Sequence, residues 1–152
     1  MSFISTIIPT LNRPVGLVSA VTSILKQKHQ PDELIIVDQS LDELSYKAVK
    51  DIYSTFDVAP KLVYLHEPKV RGLIEAKQRG VEVAEGDIIS FLEDDVVLHR
   101  QYFENAISIF KNNQEVIGCC GVMSNVHSGT LYEYLVKLFH RGIFYDPRLN
   151  AG

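Results

Sequence analysis

Four consecutive residues, Leu34-Ile35-Ile36-Val37, are all apolar, and they are bounded by a Pro31-Asp32 break upstream and by Asp38 downstream. A run this short and this uniformly apolar suits a strand covered on both faces, as in a parallel sheet. Parallel strands cannot be joined by tight hairpins; each pair needs a crossover of a dozen or more residues, usually a helix. The rest of the chain meets that demand. Residues 3–9 (FISTIIP), 61–66 (KLVYLH), 87–92 (DIISFL) and 116–123 (VIGCCGVM) are further strand-like runs. Between them lie segments of helical period. Leu17, Val21, Ile24 and Leu25 share one face of 15–28, and a polar stretch over 39–43 leads into a helix through Tyr53. Leu73, Ala76, Gly80, Val83 and Ala84 form a stripe over 72–84, with Gly86 as its C-terminal stop. Phe103, Ala106, Ile107 and Phe110 form another over 102–110, and a final helix is predicted over 131–139. The order β-α-β-α-β-α-β-α-β predicts one α/β domain over residues 1–152: a Rossmann-like, mostly parallel sheet with helices on both faces and right-handed crossovers.

Composition narrows the function. Hydrophobic residues make up 46% of the chain and charged residues 22%, which fits a globular domain and argues against disorder. The formal net charge is −4 and Lys and Arg are scattered, so no basic stripe of the kind nucleic acid demands is present. No segment approaches the roughly 20 apolar residues of a membrane span, and no leader is apparent, so a cytoplasmic protein is expected, with peripheral contact at the inner membrane face open. Cys119 and Cys120 are adjacent in an apolar run. Neighbours on a strand point to opposite faces, so they are expected to be unpaired, small buried hydrophobes in a reducing compartment.

In open α/β sheets ligands bind beyond the C-terminal ends of the strands. Thr10, Asn12 and Arg13 follow the first run, Asp38 and Ser40 the second, Glu67, Lys69 and Arg71 the third, and Glu93, Asp94 and Asp95 the fourth. The acidic triplet is the sharpest signal. Three adjacent carboxylates repel one another, and a divalent cation, Mg²⁺ or Mn²⁺, shared with a substrate phosphate would relieve that repulsion. The plainer reading is an acidic loop opening a helix. Asp38 is similarly either a strand-end cap or an acceptor for a base or ribose group. Thr10 and Asn12 are also ordinary turn residues, and the five histidines have no metal-ligand spacing.

The runs STIIPTLNRP, ELIIVDQS, RGLIEAKQRGVEVAEGDIISFLEDD and CCGVMSN, in this order over residues 3–125, resemble family 2 glycosyltransferases of the GT-A fold. The resemblance implies that Pro9, Thr10 and Asn12 line a nucleotide pocket, that Asp38 contacts the base, and that Arg71 and Lys77 lie along the nucleotide site. A segment that reads ARN in the family reads Ala76-Lys77-Gln78-Arg79 here, which leaves Lys77 and Arg79 as rival candidates. Glu93-Asp94-Asp95 stands where the family has its DxD-type motif; by that match Asp94 approaches the ribose or sugar, and Asp95, with Glu93, binds Mn²⁺ or Mg²⁺.

The implied reaction is transfer of a sugar from a nucleoside diphosphate sugar to a hydroxyl of a saccharide or lipid-linked acceptor, as in polysaccharide biosynthesis, with inversion at the anomeric carbon. The family's catalytic base lies in a later portion, so it is expected beyond residue 152, and the chain is expected to lack the acceptor-binding side and to be open to self-association. Two other classes compete. A sugar nucleotidyltransferase would want a Gly-rich phosphate loop after the first strand, where PTLNRP has none. A phospho-receiver domain would want acidic residues where Thr10-Leu11-Asn12 stand. A related domain that binds a nucleotide sugar without transferring it is a third reading.

Overall fold

The computed structural model describes residues 3–113 and 115–122. The chain divides into two compact units, Met1–Cys119 and Cys120–Gly152, and the architecture below is that of the first. Its elements are β1 (Ile4–Thr10), α1 (Pro14–Leu25), β2 (Glu33–Asp38), α2 (Leu44–Tyr53), β3 (Lys61–His66), α3 (Leu73–Val83), β4 (Ile88–Phe91) and α4 (Tyr102–Asn112). The four strands form one sheet in the order β3-β2-β1-β4, and every neighbouring pair is parallel.

The period of two along each strand sorts the core into two layers. In register, Ile8 lies beside Ile36 and Tyr64, while Ile7 lies beside Ile35 and Val63. The first row belongs to a cluster with Ile4, Leu34, Leu17, Val21 and Ile24 of α1, Val49 of α2 and Phe103 of α4. The second row joins Val37, Val70 and Ala76 of α3. Helices therefore cover both faces, α1, α2 and α4 on one and α3 on the other. β1 and β2 are buried along their whole length, as the LIIV run requires, whereas β3 and β4 at the edges are only half-buried.

Close approach explains two glycines. A Cβ on Gly80 would run into the Ile7 side chain, so the gap in the helical stripe is where α3 lies nearest the sheet. Gly86, expected as the stop of this helix, lies beyond it: α3 ends at Val83 and Ala84 is already extended. A Cβ at Gly86 would come within 2.7 Å of the Ser5 backbone nitrogen and 2.8 Å of the Phe3 carbonyl oxygen. Its role is to let the return loop press against β1.

The foot of the sheet, opposite the strand C-termini, is tied by a polar knot. Ser5, Glu33 and Lys61 are register partners on β1, β2 and β3. The fully buried Glu33 accepts from the Ser5 hydroxyl at 2.6 Å and from the Glu85 amide at 2.8 Å, and the Gly86 amide donates to Ser5 Oγ at 2.8 Å. Lys61 stands 3.6 Å from Glu33 and 2.8 Å from Glu85.

The fifth strand expected over 116–123 does not form within the described residues 116–122, which make no ladder pairing. Ile117 and Val122 stand exposed, and so do Cys119 and Cys120, which are free thiols rather than buried hydrophobes. An apolar run becomes a strand only where a sheet edge takes up its backbone groups; β4 is four residues long and pairs with β1. Met123 and the helix expected over 131–139 lie outside the described residues. Among those described, no helix is long and apolar enough to cross a membrane.

Candidate functional site

Thr10, Asp38 and His66 are the last paired residues of β1, β2 and β3, side by side in register. The loops that leave this edge bring together most of the groups singled out from the sequence. Asn12 adopts a left-handed backbone, φ 54°, which Asn tolerates better than most side chains. Its amide donates to Ser40 Oγ at 2.8 Å, fixing the β1 turn to the β2 turn. Pro14 opens α1 at a position where a missing N–H costs nothing. Between these two, Arg13 is aimed across the edge at the acidic loop.

Asp94 is nearly buried, 6% exposed, and accepts from Thr10 Oγ1 at 2.8 Å and from Arg13 Nη1 at 2.9 Å. Arg13 Nη2 donates to Asp95 Oδ2 at 3.1 Å. Lys77 Nζ donates to Glu93 Oε1 at 2.8 Å and lies 5.7 Å from the Phe91 ring centroid. Each acidic residue thus has a cationic partner. The backbone of the loop rests on α1: a Cβ on Gly16 would sit 3.0 Å from the Asp94 carbonyl oxygen.

Asp38 is fully buried; Oδ1 accepts from the Ser40 amide at 2.9 Å and Oδ2 from the Tyr64 hydroxyl at 2.6 Å. Tyr64 packs edge-to-face on Tyr46 of α2, with centroids 4.9 Å apart. Burial and, after it, the hydrogen bond to Asp38 push the Tyr64 phenol well above its ordinary pKa. His66 Nε2 lies 2.8 Å from the Ser40 carbonyl oxygen.

Pro9 and Thr10 are buried at the strand end, and Thr10, Asn12, Asp94 and Asp95 form one connected set with Arg13 and Ser40. Lys77, not Arg79, is the α3 cation that reaches the acidic loop; Arg79 is held at 2.8 Å by Glu67 and at 2.7 Å by Glu82. Arg71 is exposed and folds back on the Pro68 carbonyl at 2.9 Å, making no contact with the acidic loop. Arg13 and Tyr64 are the residues that sequence reasoning did not assign. Arg13 was visible as a strand-end cation; Tyr64 sits two residues before its strand end, and only the register places it diagonal to Asp38.

Among the described residues no three His, Cys, Asp or Glu side chains form a metal cage. The donor set nevertheless suits a divalent cation shared with a diphosphate. Asp95 and Glu93 are half-exposed hard oxygen donors, and each uses only one carboxylate oxygen in the ion pairs described. Mg²⁺-type sites commonly use one or two carboxylates, with phosphate and water supplying the rest.

The family model described as glycosyl transferase family 2 matches residues 5–150. A glucosyl-dolichyl phosphate glucuronosyltransferase of Haloferax volcanii is 25% identical over 115 residues, covering 75% of this chain and 35% of that one. The glycosyltransferase GlyG of Streptococcus pneumoniae is 31% identical over 101 residues, covering 66% of this chain and 33% of that one. The chain therefore spans about a third of the length of these two relatives. Among solved structures, a mannosyltransferase of Pyrobaculum calidifontis in complex with GDP-Man and Mn²⁺ superposes with a TM-score of 0.61 at 26% identity, over 72% of this chain and 32% of that one. Glucosyl-3-phosphoglycerate synthase of Mycobacterium tuberculosis, in complex with Mn²⁺, UDP and phosphoglyceric acid, gives a TM-score of 0.52 at 26% identity, over 70% of this chain and 38% of that one. The two-layered parallel sheet is the GT-A arrangement of these neighbours, and with the family model matched over nearly its whole length, the chain belongs to glycosyl transferase family 2.

Proposed function

We propose that the C-terminal edge of the sheet binds a nucleoside diphosphate sugar, and that the protein transfers the sugar to a hydroxyl of a saccharide or lipid-linked acceptor with inversion. One observation supports this most: Thr10 and Arg13 from the first strand end converge on Asp94 and Asp95 from the fourth. In this reading Pro9, Thr10 and Asn12 shape the floor of the nucleotide pocket, and Asp38 marks its base end, held in one orientation by Tyr64 and Ser40. Asp94 faces the ribose or sugar. Asp95, with Glu93, holds a divalent cation, Mn²⁺ or Mg²⁺, which when bound offsets the charge that develops on a departing diphosphate. Lys77 keeps Glu93 oriented, and Arg71 is free to swing from its backbone contact toward the nucleotide. No described residue is assigned as the base that takes the acceptor proton.

Calorimetric titration of UDP, GDP and dTDP, with and without Mn²⁺ and repeated on Asp95→Ala, tests the reading. Binding that requires Mn²⁺ and disappears in Asp95→Ala is the expected result, and the preferred base then narrows the donor. A folded protein that takes up none of the three nucleotides would overturn it.

A further inference from the structure

Asp94 and Asp95 already have a counter-ion. The two terminal nitrogens of the Arg13 guanidinium are divided between them, 2.9 Å to Asp94 Oδ1 and 3.1 Å to Asp95 Oδ2. This fork is built rather than incidental. The left-handed Asn12, pinned by Ser40, and Pro14 at the start of α1 fix the backbone on both sides of Arg13. Thr10 holds the other oxygen of Asp94, so the carboxylate cannot rotate away. The Arg13 side chain itself is 53% exposed and free to leave.

We infer that Arg13 is a resident counter-ion of the acidic loop that makes cation binding conditional on the diphosphate. The inference rests on the donor site proposed above. A divalent cation arriving alone at Asp95 meets a guanidinium 3.1 Å from the same carboxylate and is opposed by its charge, with nothing to draw that guanidinium away. When a diphosphate arrives as well, Arg13 gains a partner suited to its fork, since guanidinium matches phosphate in a bidentate way. Arg13 then leaves Asp95 for the phosphate. Nucleotide and cation each raise the other's affinity, and linkage makes that coupling reciprocal. Arg13 is thus a positioning residue that couples the two binding events.

The test counts free Mn²⁺ by electron paramagnetic resonance during titration of the 152-residue chain, native and Arg13→Gln, without nucleotide and then with UDP, GDP or dTDP, whichever the native protein binds. Without nucleotide, Arg13→Gln is expected to bind Mn²⁺ about fivefold more tightly, the scale of one exposed ion pair. The factor by which nucleotide enhances Mn²⁺ binding is expected to fall by at least as much. Arg13→Lys, which keeps the charge but not the fork, is expected to lie between the two. Matching thermal unfolding of the three proteins excludes a folding effect. If native protein binds nucleotide with Mn²⁺ but Arg13→Gln binds Mn²⁺ alone no more tightly, the counter-ion role is wrong and the donor site stands. If native protein binds none of UDP, GDP and dTDP, the donor site fails and this inference with it.

Discussion

The Thr10 hydroxyl donates to the Asp94 carboxylate at 2.8 Å across 84 positions of sequence, joining the end of β1 to the loop after β4. The acceptor is nearly buried, so the bond is not readily replaced by water. Thr10→Val keeps the shape and removes the donor. It is expected to lower stability by about 1–3 kcal/mol, the cost of leaving a buried charged acceptor short of a partner, while Thr10→Ser loses far less. Urea unfolding of the three proteins measures this, and equal stability of Thr10→Val and native protein would remove Thr10 from the argument.

Lys77 and Arg79 are two residues apart on α3, yet one reaches the acidic loop and the other is paired with Glu67 and Glu82. Lys77→Ala is expected to weaken Mn²⁺-dependent nucleotide binding about three- to tenfold, because Glu93 loses the group that orients it. Arg79→Ala is expected to leave nucleotide affinity unchanged and stability within about 0.5 kcal/mol. Calorimetry on both variants decides whether the two cations have been assigned the right way round.

Gly80 and Gly86 both lie against β1 but meet different obstacles. At Gly80 the obstacle is the Ile7 side chain; at Gly86 it includes backbone atoms of Ser5 and Phe3. The branched, fully buried Ile7 side chain can yield only by turning about χ1, and alanine regains about 1 kcal/mol of helix propensity at Gly80. Gly86→Ala has neither relief and is expected to cost roughly 2–3 kcal/mol, more than Gly80→Ala. Denaturant midpoints of the two variants give the ranking, and the reverse order would contradict the packing described.

Among the described residues, Tyr53 and Tyr64 have phenols raised above their ordinary pKa, chiefly by burial. A raised folded-state value means that stability is intact below about pH 10 and falls as pH climbs beyond it, because the unfolded chain then releases protons that the folded chain keeps. Absorbance titration should therefore show at least two phenols ionising only as the protein unfolds. Tyr64→Phe should remove one of them and flatten the alkaline loss of stability. It should also weaken the fold at neutral pH, since Asp38 loses a donor.

The layered sheet was legible because its signal is local. Apolar runs such as Leu34–Val37 and stripes such as Leu17, Val21, Ile24 announce buried strands and one-sided helices wherever they occur. The strand ends likewise announced Thr10, Asn12, Asp38 and the acidic triplet, since topology alone brings those ends to one edge. What local pattern could not supply was partnership. The apolar run from Val116 carries a strand signal as well, but among its described residues it makes no ladder pairing and leaves its cysteines exposed. Tyr64 gains its role only from the register with β2, and Arg13 only from the left-handed turn at Asn12 that aims it.

Glu33, Ser5 and the Glu85–Gly86 backbone fasten the sheet at the end remote from the acidic loop. The same strands thus carry this polar knot at one end and the Thr10, Asp38 and acidic-loop contacts at the other. Substitutions in the turns after β1, β2 and β4 leave these foot contacts untouched. A change at one end of the frame therefore need not disturb the polar ties at the other.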